Sequence, residues 1–191
     1  MSWRGWVRLY FGGAVVLAIL VFACASLAQS TAVAPGTKRF QGDGISFRYP
    51  ARWQALTDPN DTSSFSALIV YVSNDQMSSP CVVKPMSISC GLPLAHLSER
   101  SVLASWSANG FPGWTFKRAL GRALRVDGDP AKLRLTRSVC GVGADVMMDV
   151  VVERPHVADN WFEFRACIKG PGINELERQA KKVLRTVHFA G

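Results

Sequence analysis

Two stretches toward the C-terminal end separate apolar from polar side chains with a period of two. In the first, Val146, Met148, Val150 and Val152 fall on one side, and Asp145, Asp149 and Glu153 on the other. In the second, Phe162, Phe164, Ala166 and Ile168 oppose Trp161, Glu163, Arg165 and Cys167. A period of two is the repeat of a strand with one buried face, and a helix would scatter these residues around its circumference. The pattern commits this part of the chain to a sheet whose second face carries charge.

Other segments extend the sheet. Ile45 to Tyr49 alternates in the same way and Pro50 ends it, while Ala67 to Val72 is a continuous apolar run suited to a strand covered on both sides. Arg122–Val126 and Ala131–Arg137 flank Asp127-Gly128, a dipeptide suited to the positive-φ positions of a two-residue hairpin. Two helices are predicted. One starts at Ser98, places Val102, Leu103 and Trp106 on one side and stops at Asn109-Gly110. The other starts at Asn174, with Glu177 completing a capping box, and carries Leu176, Ala180, Val183, Leu184 and Val187 as its apolar stripe. Strands in series with these two helices predict an α+β domain, a mainly antiparallel sheet packed with helices.

The N-terminal 28 residues differ in kind. Arg4 and Arg8 precede or open an uncharged apolar run from Leu9 to Ala28, the arrangement of an export signal whose start stays in the cytoplasm. Ser26-Leu27-Ala28 and Ala23-Cys24-Ala25 each have the small-x-small pattern of a cleavage site, and the run is also long enough to span a bilayer. Val21-Phe22-Ala23-Cys24 partly resembles a lipobox, which makes Cys24 a candidate for lipidation, with Phe22 departing from the small residue expected there. Signal peptide, membrane anchor and lipid attachment thus stay open for residues 1–28, and all three place the rest of the chain outside the cytoplasm. Residues 29–40 are small, polar and proline-containing and read as a tether, leaving 41–191 as a single domain.

Export gives the cysteines their meaning. Beyond Cys24 there are four, Cys81, Cys90, Cys140 and Cys167, and an even set in an oxidising compartment reads as disulfides. Four cysteines allow three pairings; nearness in sequence favours Cys81 with Cys90, which leaves Cys140 with Cys167. The chain has no Cys-x-x-Cys, and its histidines, His96, His156 and His188, are widely separated, so no metal site is expected.

The stretch Phe40 to Trp53, FQGDGISFRYPARW, resembles the opening of PsbP-like domains, in which a glycine, a hydrophobic strand, Tyr-Pro and a tryptophan follow in that order. The closing ELERQAKKVLRTVHF is similar to that family's terminal helix and last short strand, and RALRVDGDPAKL to the hairpin common in its exported bacterial members, the LpqN-type lipoproteins. The resemblance spans most of residues 40–189 and implies an α-β-α sandwich serving as a binding or assembly module. It transfers no metal ligand and no catalytic residue.

Motifs for enzymatic chemistry are missing. The chain has no Gly-x-Ser-x-Gly, no P-loop, no Gly-x-Gly-x-x-Gly and no His-Glu-x-x-His. Two carboxylate pairs are available for acid–base work, Asp127/Asp129 in the hairpin and Asp149/Glu163 on the charged faces of neighbouring strands, where Arg134 or Arg165 would pair with them.

Two segments are candidate contact surfaces. The net charge of +8 falls to +6 without Arg4 and Arg8, and its densest part runs from Lys117 to Arg137, with Arg125, Lys132 and Arg134 as candidate polyanion contacts. Asn109 to Phe116 gathers Phe111, Trp114 and Phe116 around glycine and proline, either as a lid folded onto the core or as a partner surface. The sequence therefore predicts a non-enzymatic, disulfide-stabilised binding or accessory module at the cell envelope, without cofactor. Its partner is expected to be an envelope protein or lipid rather than nucleic acid, and an envelope hydrolase is the alternative.

Overall fold

In the computed structural model, residues 36–137, 140–154 and 160–190 are described. Residues 1–28 with Cys24, and His156, lie outside them. The two alternating stretches become β10 (Val146–Glu153) and β11 (Asn160–Lys169), which pair antiparallel with Asp149 opposite Arg165 and Val150 opposite Phe164. They sit inside a seven-stranded sheet. Its order is β3 (Gln54–Leu56), β4 (Ser66–Ser73), β7 (Ser101–Gly110), β11, β10, β9 (Asp129–Arg137) and β8 (Arg122–Val126). A three-stranded sheet of β1 (Thr37–Gly42), β2 (Ile45–Pro50) and β12 (His188–Phe189) lies over one face together with helix α1 (Ile173–Leu184). The first strand of that sheet begins inside the tether segment, whose residues 37–40 are extended and paired. A separate hairpin joins β5 (Cys81–Lys84) to β6 (Ser87–Cys90).

Strands hold 51% of the described residues and helices 10%, with α1 the single α-helix among them. The fold is therefore mainly β, which overturns the expected α+β sandwich packed with helices. The predicted helix from Ser98 is the strand β7. Val102, Ala104 and Trp106 point into one core and Leu103 into another, so Val102, Leu103 and Ala104 are all buried in succession. With both faces covered, period two vanishes from the hydrophobic pattern, and the i, i+1, i+4 set that remains mimics a helical face.

The second helix is where it was expected, but its start is not. Gly172, at φ 92°, occupies the N-cap without a side-chain cap, and Glu177 bonds Lys181 instead of closing a capping box. Its stripe of Leu176, Ala180, Val183 and Leu184 is buried as the spacing requires.

The first face of the large sheet carries the main core. Trp106 is fully buried there, its ring 5.1 Å from Phe164, 5.9 Å from Phe189 and 6.5 Å from Phe47. The hairpin turn fastens this layer at its edge. Asp127 and Gly128 take the positive φ values that a two-residue turn demands, 51° and 87°. The Asp127 carboxylate then accepts the Phe189 backbone N–H at 2.8 Å and faces His188 Nδ1 at 3.0 Å. Asp127 thus holds β12 in place and has no partner in Asp129.

The second face is covered at one end only. Tyr71, Leu97, Leu103, Val142, Ala144 and Cys167 form a smaller core beneath the connecting segments. Cys140–Cys167 closes it, and Cys81–Cys90 closes the β5–β6 hairpin, so the pairing favoured by sequence neighbourhood is the one formed. The Gly141–Ala144 stretch is the seat of this core: Val142 is fully buried and its carbonyl accepts the Leu97 N–H at 2.9 Å.

Candidate binding face

Beyond the smaller core, the second face of the sheet stays open, and the strands that cross it are β9, β10, β11 and β7. The residues opposite the core-facing positions must therefore emerge here side by side: Arg134, Asp149, Glu163, Arg165, Ser107 and Asn109. Asp149 lies 3.6 Å from Arg134 Nη2 and 3.5 Å from Arg165 Nε. The Arg165 guanidinium also pairs with Glu163 Oε1, and Asn109 Nδ2 donates to Glu163 Oε2 at 3.3 Å. The cross-strand pairing expected from the sequence is thus made.

Burial raises the Glu163 carboxyl above the ordinary range; Arg165 pulls it back down, and the neighbouring Asp149 charge pushes it up again. Asp149 Oδ1 is buried without a hydrogen-bond partner despite the nearby guanidinium. The cluster is thus a cross-strand charge network in which Arg134 and Arg165, both partly exposed, lie over two largely buried carboxylates.

The aromatic segment lies beside this network. Asn109 and Gly110 belong to β7, and the chain then turns through Phe111–Thr115 into a short 3-10 turn at Phe116–Arg118. Trp114 stacks on Trp161 with centroids 4.2 Å apart and planes 20° from parallel. Both rings are half-buried and belong to neither hydrophobic core, so the segment is not a lid on the core. Phe111 is 52% exposed and meets Phe65, itself 51% exposed, at 5.0 Å. Next to them a cleft of about 480 Å³ runs along Ser64–Ala67 and Ala108–Pro112 to Arg154.

Phe116 and the basic segment turn inward to each other. Lys132 Nζ sits 5.0 Å above the Phe116 ring and donates to the carbonyls of Phe116, Lys117 and Ala119 at 3.1, 3.1 and 2.7 Å. Arg125 donates to the Gly128 carbonyl, and Arg134 faces Asp149. The three cations singled out by charge density are thus engaged within the fold, and they do not form one free patch.

Asp61, Cys81 and Cys90 bring potential metal-ligand atoms within 4.8 Å of one another, but both sulfurs are bound in the disulfide and Asp61 accepts the Tyr71 hydroxyl at 3.2 Å. A disulfide sulfur is no thiolate donor, so these three do not make a metal centre.

Trp161 and Phe65 were not singled out as site residues by sequence reasoning. Trp161 had a legible signal, a large aromatic on the polar side of an alternating strand; Phe65, in a serine-rich turn before β4, had none.

No family model and no curated protein matches the chain. A protein of Bacteroides thetaiotaomicron VPI-5482, known from a crystal structure at 1.50 Å resolution, is similar in structure with a TM-score of 0.39 and 12% identity over 83% of this chain. The chain spans half the length of that neighbour.

Proposed function

We propose that the protein is an exported, non-enzymatic binding module of the cell envelope that takes its partner on the open half of the second sheet face. The N-terminal run of residues 1–28 supports export, and the two disulfides are compatible with an oxidising compartment outside the cytoplasm. One observation carries the binding reading: Trp114 and Trp161 stack outside both cores, beside Asp149 and Glu163. Aromatic area next to convergent polar groups is the composition of recognition surfaces. The PsbP-like kinship belongs to this reading on the sequence motifs of Phe40–Trp53 and the C-terminal stretch alone.

A photo-reactive amino acid placed at position 114 in living cells tests the proposal, with position 135 as reference because Leu135 is also exposed, at 44%, on β9. A discrete adduct from position 114 and none from position 135 is the expected result; equal adducts, or none from either, would refute it. The hydrolase alternative draws on the Glu163 carboxyl, raised by burial and lying beside Asp149. It requires turnover of an envelope ester or glycoside that disappears in Glu163→Gln.

A further inference from the structure

On the opposite side of the large sheet, the end of β2 and the last turns of α1 leave a groove of about 610 Å³. Arg48, Arg52, Lys182 and Arg185 rim it, and its lining is largely apolar, with Tyr49 and Pro50 in the floor. The rim differs from the Lys117–Arg137 segment in how its cations are engaged. Among the described residues none of the four forms an ion pair; Arg52 donates to the neutral Gln179 at 3.1 Å, and Arg48 reaches Thr37 Oγ1 at 3.5 Å. Glu175 is the single acid of the lining, and Arg178 pairs with it.

We propose that this groove docks the protein on a bilayer containing anionic lipids, with the four cations at the headgroups and the apolar floor at the interface. Three features favour a bilayer over a soluble anion. Uncompensated cations around an apolar floor match the interfacial region, where aliphatic stems lie along apolar surface while charges reach the headgroups. Thr37 lines the groove, so the tether joins the domain at this place. Residues 29–36 span at most roughly 29 Å when fully extended. An anchored or lipidated N-terminus would therefore hold the domain close to the membrane, where each contact gains from a high effective concentration. The proposal shares only the export assignment with the partner reading and makes no use of Trp114.

The exported protein, in the form the cell leaves it, is combined with nanodiscs of phosphatidylcholine alone or of equimolar phosphatidylcholine and phosphatidylglycerol, and amide hydrogen exchange is followed at residues 48–52 and 179–186. Exchange should slow about tenfold in the anionic discs only, and the protection should fade with added salt. It should vanish in Lys182→Gln/Arg185→Gln, whose side chains are exposed and unpaired, and persist in Arg125→Gln/Arg134→Gln. Equal exchange in both discs, or protection that survives Lys182→Gln/Arg185→Gln, would overturn the proposal. So would the same protection from inorganic phosphate alone, which would mark a soluble-anion site. An adduct at position 114 would be unaffected by any of these outcomes.

Discussion

The two faces of the seven-stranded sheet are made of neighbouring residues on the same strands, yet they do different work. On the first, Trp106, Phe164, Val150 and Met148 are sealed under α1 and the small sheet. On the second, Cys167 and Leu103 are covered by the smaller core at one end, while at the other a half-exposed Arg165 lies over the largely buried carboxylates of Glu163 and Asp149. The difference teaches that a period-two strand settles which residues share a face, whereas what covers that face depends on segments far away in sequence. Stability is concentrated on the first face, and the open half of the second is the face proposed for recognition.

The largest test of this contrast is Trp106→Ala. It removes a fully buried ring from the first face and should cost about 3–5 kcal/mol in denaturant unfolding, enough to threaten the fold. A loss below about 1 kcal/mol would show that the first face is not where stability resides.

Next come the two bridges. Replacing Cys140 and Cys167 together by serine opens a cross-link spanning 27 residues in sequence and loosens the smaller core, so about 3 kcal/mol should be lost. Removing Cys81–Cys90 opens a shorter loop of 9 residues whose strands are largely exposed, with Val82 at 59% and Ile88 at 53%. Global unfolding should respond less to that change, with enhanced exchange confined to residues 81–90. A larger global loss from the hairpin bridge would invert the ranking.

Glu163 tests the open half by pH. A carboxyl raised on folding binds its proton more tightly in the native state, so its contribution is present at low pH and is lost as pH climbs through the folded value. Stability should therefore fall from about pH 4.3, the ordinary glutamate value, upward. Glu163→Gln should flatten that slope while changing neutral-pH stability by only about 1 kcal/mol, because the lost Arg165 pair offsets the removed burial of charge. An unchanged slope would mean that the carboxyl is not buried as described. The smallest effect belongs to Trp114→Ala, expected to cost about 1 kcal/mol or less, since the ring is half-buried and outside both cores.

Much of the architecture was legible where one face is buried and the other wet. Val146–Val152 and Phe162–Ile168 displayed that alternation, and Asp127-Gly128 announced its turn through backbone chemistry. β7 was hidden because Val102, Leu103 and Ala104 are buried in succession. β5 and β6 were hidden for the opposite reason, since they bury little and only the cysteines at their ends mark them. The aromatic segment was legible as chemistry but not as placement, because Trp114 finds Trp161 across the fold. The basic groove left no local trace at all: Arg48 and Thr186, whose backbone and hydroxyl bond at 2.9 Å, are 138 residues apart.

The contrast between the faces can be read from one spectrum. With fluorotryptophan incorporated, the ¹⁹F resonances are compared in H₂O and D₂O and assigned by single substitution. Fully buried Trp53 and Trp106 should show no solvent isotope shift, whereas Trp114 should show one in the same sample. A Trp114 signal as insensitive to solvent as that of Trp106 would contradict the account, because the aromatic segment would then be a lid completing the core and not a surface left open for a partner.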